Sequence, residues 1–109
     1  MIEAIKFALR YDPSPNPRVG AVLVDKNNKI TALKVETLAN IGAYISDFGV
    51  FIPTYAGTAM LTGCYKISNA YANVKGVFTN TNPVDAYRGA GRPEAAYLIE
   101  RLMAVSYTH

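Results

Sequence analysis

One cysteine, Cys64, and one histidine, His109, are all the chain holds of the two residue types that most often carry redox, nucleophilic or metal chemistry, and tryptophan is absent. A lone cysteine excludes an internal disulfide and fits a reducing cytoplasm; Cys64 reads as a small buried hydrophobe, not as a nucleophile or ligand. Charge is sparse too, at 17% of residues, with a formal net charge of +3. The basic residues are spread from Lys6 to Arg101 without a clustered patch, so no nucleic-acid partner is expected. No long apolar run opens the chain, because Lys6, Arg10 and Asp12 interrupt it, and neither a signal peptide nor a membrane span is expected. The tyrosines are scattered, not interleaved with lysines and arginines on one strand, which favours packing over a base-stacking platform. Asp85 and Glu94 are too isolated in type to form a paired acid and base.

What the chain does have is hydrophobic residues, half of the total of 109. That suits a packed interior in one small domain, which buries roughly 60–70% of the surface of its unfolded chain.

Taken in order, residues 2–10 place Ile2, Ile5 and Leu9 on one face and predict a short amphipathic helix. Pro13, Pro15 and Pro17 forbid helix in the next run, which leads into an apolar strand over 19–24. The polar turn DKNNKI, where Asn27 and Asn28 tolerate left-handed backbone, predicts an antiparallel hairpin with a second strand from Ile30 to about Leu38, extending as far as Ile45. Residues 46–57 read as a broken segment, 58–65 as a short helix, and 71–79 as a strand with one face buried. Residues 93–103 form the surest element. Pro93 is tolerated in the first turn, Glu94 suits its positive end, and Ala95, Leu98, Ile99 and Leu102 make one apolar stripe. The predicted class is α+β: N-terminal helix, hairpin, further strand and C-terminal helix.

Between that last strand and helix lies DAYRGAG, residues 85–91. Gly89 and Gly91 lack the Cβ atoms that keep a ligand off the backbone, the helix start offers unpaired amides, and Arg88 and Arg92 bring planar cations able to grip a phosphate or carboxylate. On these residues alone, an anion site and a tight glycine turn flanked by solvated arginines are both open readings.

The run NPVDAYRGAGRPEAAYLIERLM, with KITALKVETLANIGAYIS and MLTGCYKISNAYANVKGVFTN before it, resembles the molybdopterin-binding large subunit of the molybdenum hydroxylases: xanthine dehydrogenases, aldehyde oxidases and carbon-monoxide dehydrogenases. The resemblance covers about residues 29–103. It implies an oxidoreductase whose cofactor is molybdopterin cytosine dinucleotide, with Arg88 beside the molybdenum–pterin group, Tyr87, Gly89, Ala90 and Gly91 as its neighbours, and iron–sulfur and FAD partners. Carbon-monoxide dehydrogenases carry a copper-binding cysteine where this chain has Gly89, and xanthine and aldehyde oxidisers an aromatic where it has Ala90, so the substrate is left open. A complete subunit of that family is far longer, and its catalytic glutamate has no counterpart here. The expectation is a fragment that is inactive alone and holds no cofactor or metal, with no catalytic residue of its own.

Residues 1–28, and SPNPRVGAVLVD in particular, resemble the start of the zinc-dependent deaminase of riboflavin biosynthesis. The zinc and proton-shuttle motifs of that family, H-[AC]-E and P-C-x-x-C, are missing, which excludes deamination by this chain. The two resemblances meet at DKNNKI and suggest a chimeric fragment: a deaminase-like remnant over 1–28, a partial molybdopterin-binding domain over 29–103, and a non-family tail over 104–109, AVSYTH, that breaks the helical pattern. A deaminase remnant and a small basic binding module are the alternative readings.

Overall fold

A computed structural model describes residues 3–8, 18–27 and 29–108. Its framework is a four-stranded mixed sheet in the order β1 (Glu3–Ala8), β2 (Arg18–Val24), β3 (Ile30–Gly42) and β4 (Asn69–Phe78), with one α-helix, α1 (Arg92–Thr108). β1, β2 and β3 are antiparallel to their neighbours, whereas β4 joins β3 in parallel. A parallel pair needs a crossover, and residues 43–68 supply it through a π-helical turn (Ile52–Ala56) and a 3-10 turn (Thr58–Met60).

The mixed α+β class and the hairpin agree with the sequence reading, but the N-terminal helix does not. Over Glu3–Ala8 the chain is a strand, paired from Glu3 opposite Val24 to Ala8 opposite Val19; residues 2, 9 and 10 of the expected helix lie outside the described residues. A helix so short is unstable unless packing supports it, whereas the free edge of β2 satisfies the backbone of a strand directly. At the other end, α1 runs through Thr108, so 104–108 continue the helix that AVSYTH was expected to break. The β-branched and polar side chains there carry only small propensity costs.

The hairpin turn is closed by a device that the asparagines did not advertise. Among the described residues Asn27 is not left-handed; instead the Asp25 carboxylate accepts the amides of Asn27 at 2.8 Å and Lys29 at 2.9 Å. The Lys29 amide bond first, then the Asn27 one, holds the Asp25 carboxyl below its ordinary pKa. Because the folded state favours the ionised form, this contribution is complete above the unfolded value of about 3.9 and drains away as pH falls through the lower folded value. Melts between about pH 6 and pH 2 should therefore lose more stability in the native chain than in Asp25→Asn, which keeps an acceptor but no charge; equal losses would refute it.

The core is where α1 crosses the hairpin. Ala95, Leu98, Ile99 and Leu102, the predicted stripe, are buried against Val22, Leu33 and Val35, with Leu61 closing one end. Glu94 and Arg101 remain exposed, as their places on the helix require. The face of β4 expected to be buried is instead largely open. Only Asn73 and Val74 are half-buried, while Phe78 is 62% exposed. The buried cluster that α1 joins draws its strand residues from β2 and β3, which leaves the edge strand uncovered. Cys64 is exposed, not buried, in the turn after Met60, where Gly63 takes a left-handed φ of 54°. Tyrosines 44, 55, 71, 87 and 97 also lie at the surface and contribute nothing to the core. No helix among the described residues is long and apolar enough to cross a membrane.

Candidate functional site

The predicted loop does exist, and its backbone is unusual. Gly89, Ala90 and Gly91 have φ values of 98°, 41° and 89°, three left-handed residues in succession just before α1. Ala90 is the non-glycine residue with positive φ among the described residues, at a cost of about 1–3 kcal/mol that the surroundings must hold in place. The Ala90 amide donates to the Tyr87 carbonyl at 2.8 Å, and the Arg92 amide to the Gly89 carbonyl at 3.1 Å. Two of the amides that sequence reasoning offered to an anion are therefore already used.

The glycines have reasons inside the fold. A Cβ at Gly89 would lie 2.7 Å from Pro93 Cγ, and one at Gly91 would lie 2.8 Å from the Ile52 carbonyl oxygen and 3.0 Å from the Gly57 amide nitrogen. Gly91 is buried, wedged against the crossover. Its carbonyl accepts the Ala95 amide at 3.1 Å, which starts the helix.

The cations divide. Arg92 Nη1 leans back toward the Gly89 carbonyl at 3.5 Å, whereas exposed Arg88 makes no ion pair or hydrogen bond among the described residues. Tyr87 beside it is 87% exposed. Asp85 accepts the Ala86 amide at 2.6 Å at the start of the loop. Tyr87, Arg88, Gly89 and Ala90 thus share one turn, the first two exposed and the glycine and alanine half-buried, with Gly91 as its buried foot.

The cavity in this region is a different feature. A cleft of about 50 Å³ opens behind the loop between Val35, Val74, Ile52, Gly91 and Leu98. Arg88 is not among the residues that line it.

Sequence reasoning missed what holds the other end of the loop. Asn40 near the end of β3 accepts the Thr79 hydroxyl at 2.6 Å and the Gly42 amide at 2.9 Å through Oδ1, and donates to the Thr81 hydroxyl at 3.0 Å through Nδ2. Two main-chain bonds, Thr79 amide to Gly42 carbonyl at 3.0 Å and Ala43 amide to Thr81 carbonyl at 2.9 Å, extend the strand pairing past Phe78. The signal was the run TNTN after an alternating strand, whose side chains are of the kind that bind nearby backbone.

Residues 18–105, which include both strands of the hairpin, the crossover and the loop, match the molybdopterin cofactor-binding domain. The chain belongs to the molybdopterin cofactor-binding domain family. It is 36% identical over 91 residues to the carbon monoxide dehydrogenase large chain of Hydrogenophaga pseudoflava, covering 79% of this chain and 11% of that protein. It is 32% identical over 79 residues to the 6-hydroxypseudooxynicotine dehydrogenase complex subunit gamma of Paenarthrobacter nicotinovorans, covering 72% of this chain and 10% of that one. Among solved structures, the aldehyde oxidoreductase of Desulfovibrio desulfuricans superposes with a TM-score of 0.74 at 27% identity, over 84% of this chain and 10% of its own. The chain spans about a tenth of the length of each of these three proteins. The deaminase resemblance gains no support: the domain match begins at residue 18, inside the SPNPRVGAVLVD stretch that suggested it, and β2 there pairs with β3 within the matched domain.

Proposed function

We propose that the loop of Tyr87, Arg88, Gly89, Ala90 and Gly91 forms part of one wall of a molybdopterin cytosine dinucleotide site in a larger molybdenum-dependent oxidoreductase. One observation carries this reading: Arg88 stands exposed and, among the described residues, without an ion pair or hydrogen bond, on a left-handed turn that the fold anchors on both sides. The residues fit an anionic group. A guanidinium that spends nothing on an internal pair keeps its planar fork for phosphate or another oxyanion. The anchored turn lowers the ordering cost of binding.

The bound group supplies two-electron redox chemistry, and this chain supplies position and charge. Arg88 holds and orients it, and Gly91, locked under the Ile52 carbonyl, fixes the height of the turn above α1. Copper is not part of this proposal, since Gly89 brings no thiol and a side chain there would strike Pro93. The complete assembly adds the remaining cofactor loops, the base that activates water, and iron–sulfur and FAD carriers, in the cytoplasm. The chain alone is inactive, and with one arginine and a few amides it binds the charged part of the cofactor too weakly to retain the whole group.

Inorganic pyrophosphate, the charged portion of a dinucleotide, is the test ligand. Amide resonances of 87–91 should shift on titration, and Arg88→Ala should weaken binding at least about tenfold, the scale of one charge-assisted hydrogen bond. No shift at 87–91, or equal binding by Arg88→Ala, would overturn the proposal.

A further inference from the structure

We infer that Asn40 is a positioning residue for the Arg88 loop: its amide closes a ring of hydrogen bonds with Thr79 and Thr81 that fixes where the loop leaves the sheet. The inference rests on the proposed role of Arg88, but its geometry is independent of any ligand. Thr79 gives its hydroxyl proton to Asn40 Oδ1 at 2.6 Å, so the 2.9 Å contact between the two threonine hydroxyls is donated by Thr81. Thr81 Oγ1 accepts from Asn40 Nδ2 at 3.0 Å, which completes the circuit. Each threonine donates once and accepts once within the ring. The Gly42 amide, donating to Oδ1 at 2.9 Å, fixes the orientation, because a flipped carboxamide would set one donor against another.

The ring sits where the sheet ends. The β3–β4 register shifts between Asn40 and Gly42, and Gly42 takes a φ of 85°, with a Cβ there only 2.5 Å from Pro83 Cα and N. The chain over 79–83 is thereby laid on the backbone of 40–43. From that contact to the buried wedge at Gly91, residues 84–90 form a span fixed at both ends. The Gly91 end is held by shape, whereas the Asn40 end is held by side-chain hydrogen bonds. The asparagine amide supplies a neutral oxygen that accepts from two donors and, on a separate nitrogen, a donor for a third group; glutamine offers the same groups but is longer by a methylene.

Hydrogen exchange of the full chain tests this, followed at the Ala90, Arg92 and Thr79 amides, with Leu98 and Ile99 as core references. Asn40→Leu should speed exchange at Ala90, Arg92 and Thr79 about tenfold or more while the core references hold their rates. Asn40→Asp, which still accepts from Thr79 and Gly42 but has no donor for Thr81, should restore only part of the protection, and Thr79→Val should reproduce the loss without touching β3. Unchanged loop exchange in both Asn40→Leu and Thr79→Val overturns the inference. So does equal acceleration of loop and core in both, which would make the ring a general fold element. The proposed role of Arg88 fails separately, if pyrophosphate binding by the native chain does not depend on Arg88 whatever the exchange rates show.

Discussion

Leu98→Ala should lower the unfolding free energy by about 2–5 kcal/mol, the range for truncating a buried leucine. Leu98 is 2% exposed and lies at the centre of the stripe by which α1 meets Val22, Leu33 and Val35. Small domains have roughly 5–15 kcal/mol in total, so this one change removes a large share of what keeps the helix on the sheet. Leu98 also borders the cleft behind the loop, so truncation enlarges a void that already exists. Urea titration should show a lower midpoint with an unchanged slope. Glu94→Ala, exposed on the same helix, should stay within about 0.5 kcal/mol of the native chain. A Leu98→Ala loss no larger than the Glu94→Ala one would mean that α1 does not pack on the hairpin as described.

Gly91→Ala should cost roughly 1–3 kcal/mol and should also disturb the loop. Two penalties coincide at this position. Its φ of 89° is one that L side chains rarely adopt, and the new methyl would meet the Ile52 carbonyl oxygen at 2.8 Å and the Gly57 nitrogen at 3.0 Å. Those are backbone atoms of the crossover, which cannot swing aside as a flexible side chain would. Relief therefore comes from raising the loop, and the change should weaken pyrophosphate binding even though Gly91 itself is buried. A structure or amide spectrum of Gly91→Ala with 87–90 unmoved and native stability would show that the contact with Ile52 is not what holds the turn.

Much of this could be read from the residues, and the failures have identifiable causes. The stripe of Ala95, Leu98, Ile99 and Leu102 was legible because helical periodicity and burial obey the same geometry. The hairpin was legible because a polar turn between two apolar runs leaves few other arrangements, although its closure by Asp25 and not by Asn27 was not. Glu3–Ala8 was misread because Ile5 can be satisfied by helical or strand spacing, and the edge of β2 decided between them. Residues 104–108 were misread because weak local preferences were given more weight than continuation of an established helix. Cys64 and the exposed face of β4 were misread because apolar composition says that a surface tends to be covered, not which part of the chain covers it.

The site divides in the same way. The order Asp85, Tyr87, Arg88, Gly89, Ala90, Gly91 is local, so the sequence by itself determined a glycine turn with a cation at the start of a helix, and the family to which that turn belongs. Only the tertiary structure decided that Arg88 has no partner among the described residues while Arg92 leans back toward the Gly89 carbonyl, and that Gly91 is required by Ile52 and Gly57, residues far away in the chain. It alone brought Asn40 to Thr79 and Thr81, 39 and 41 positions apart. The physical reason is range. Backbone φ preferences and helix starts are set by neighbours a few bonds away, whereas hydrogen bonds and steric contacts between distant residues exist only once the parallel pairing of β3 and β4 has brought their ends together.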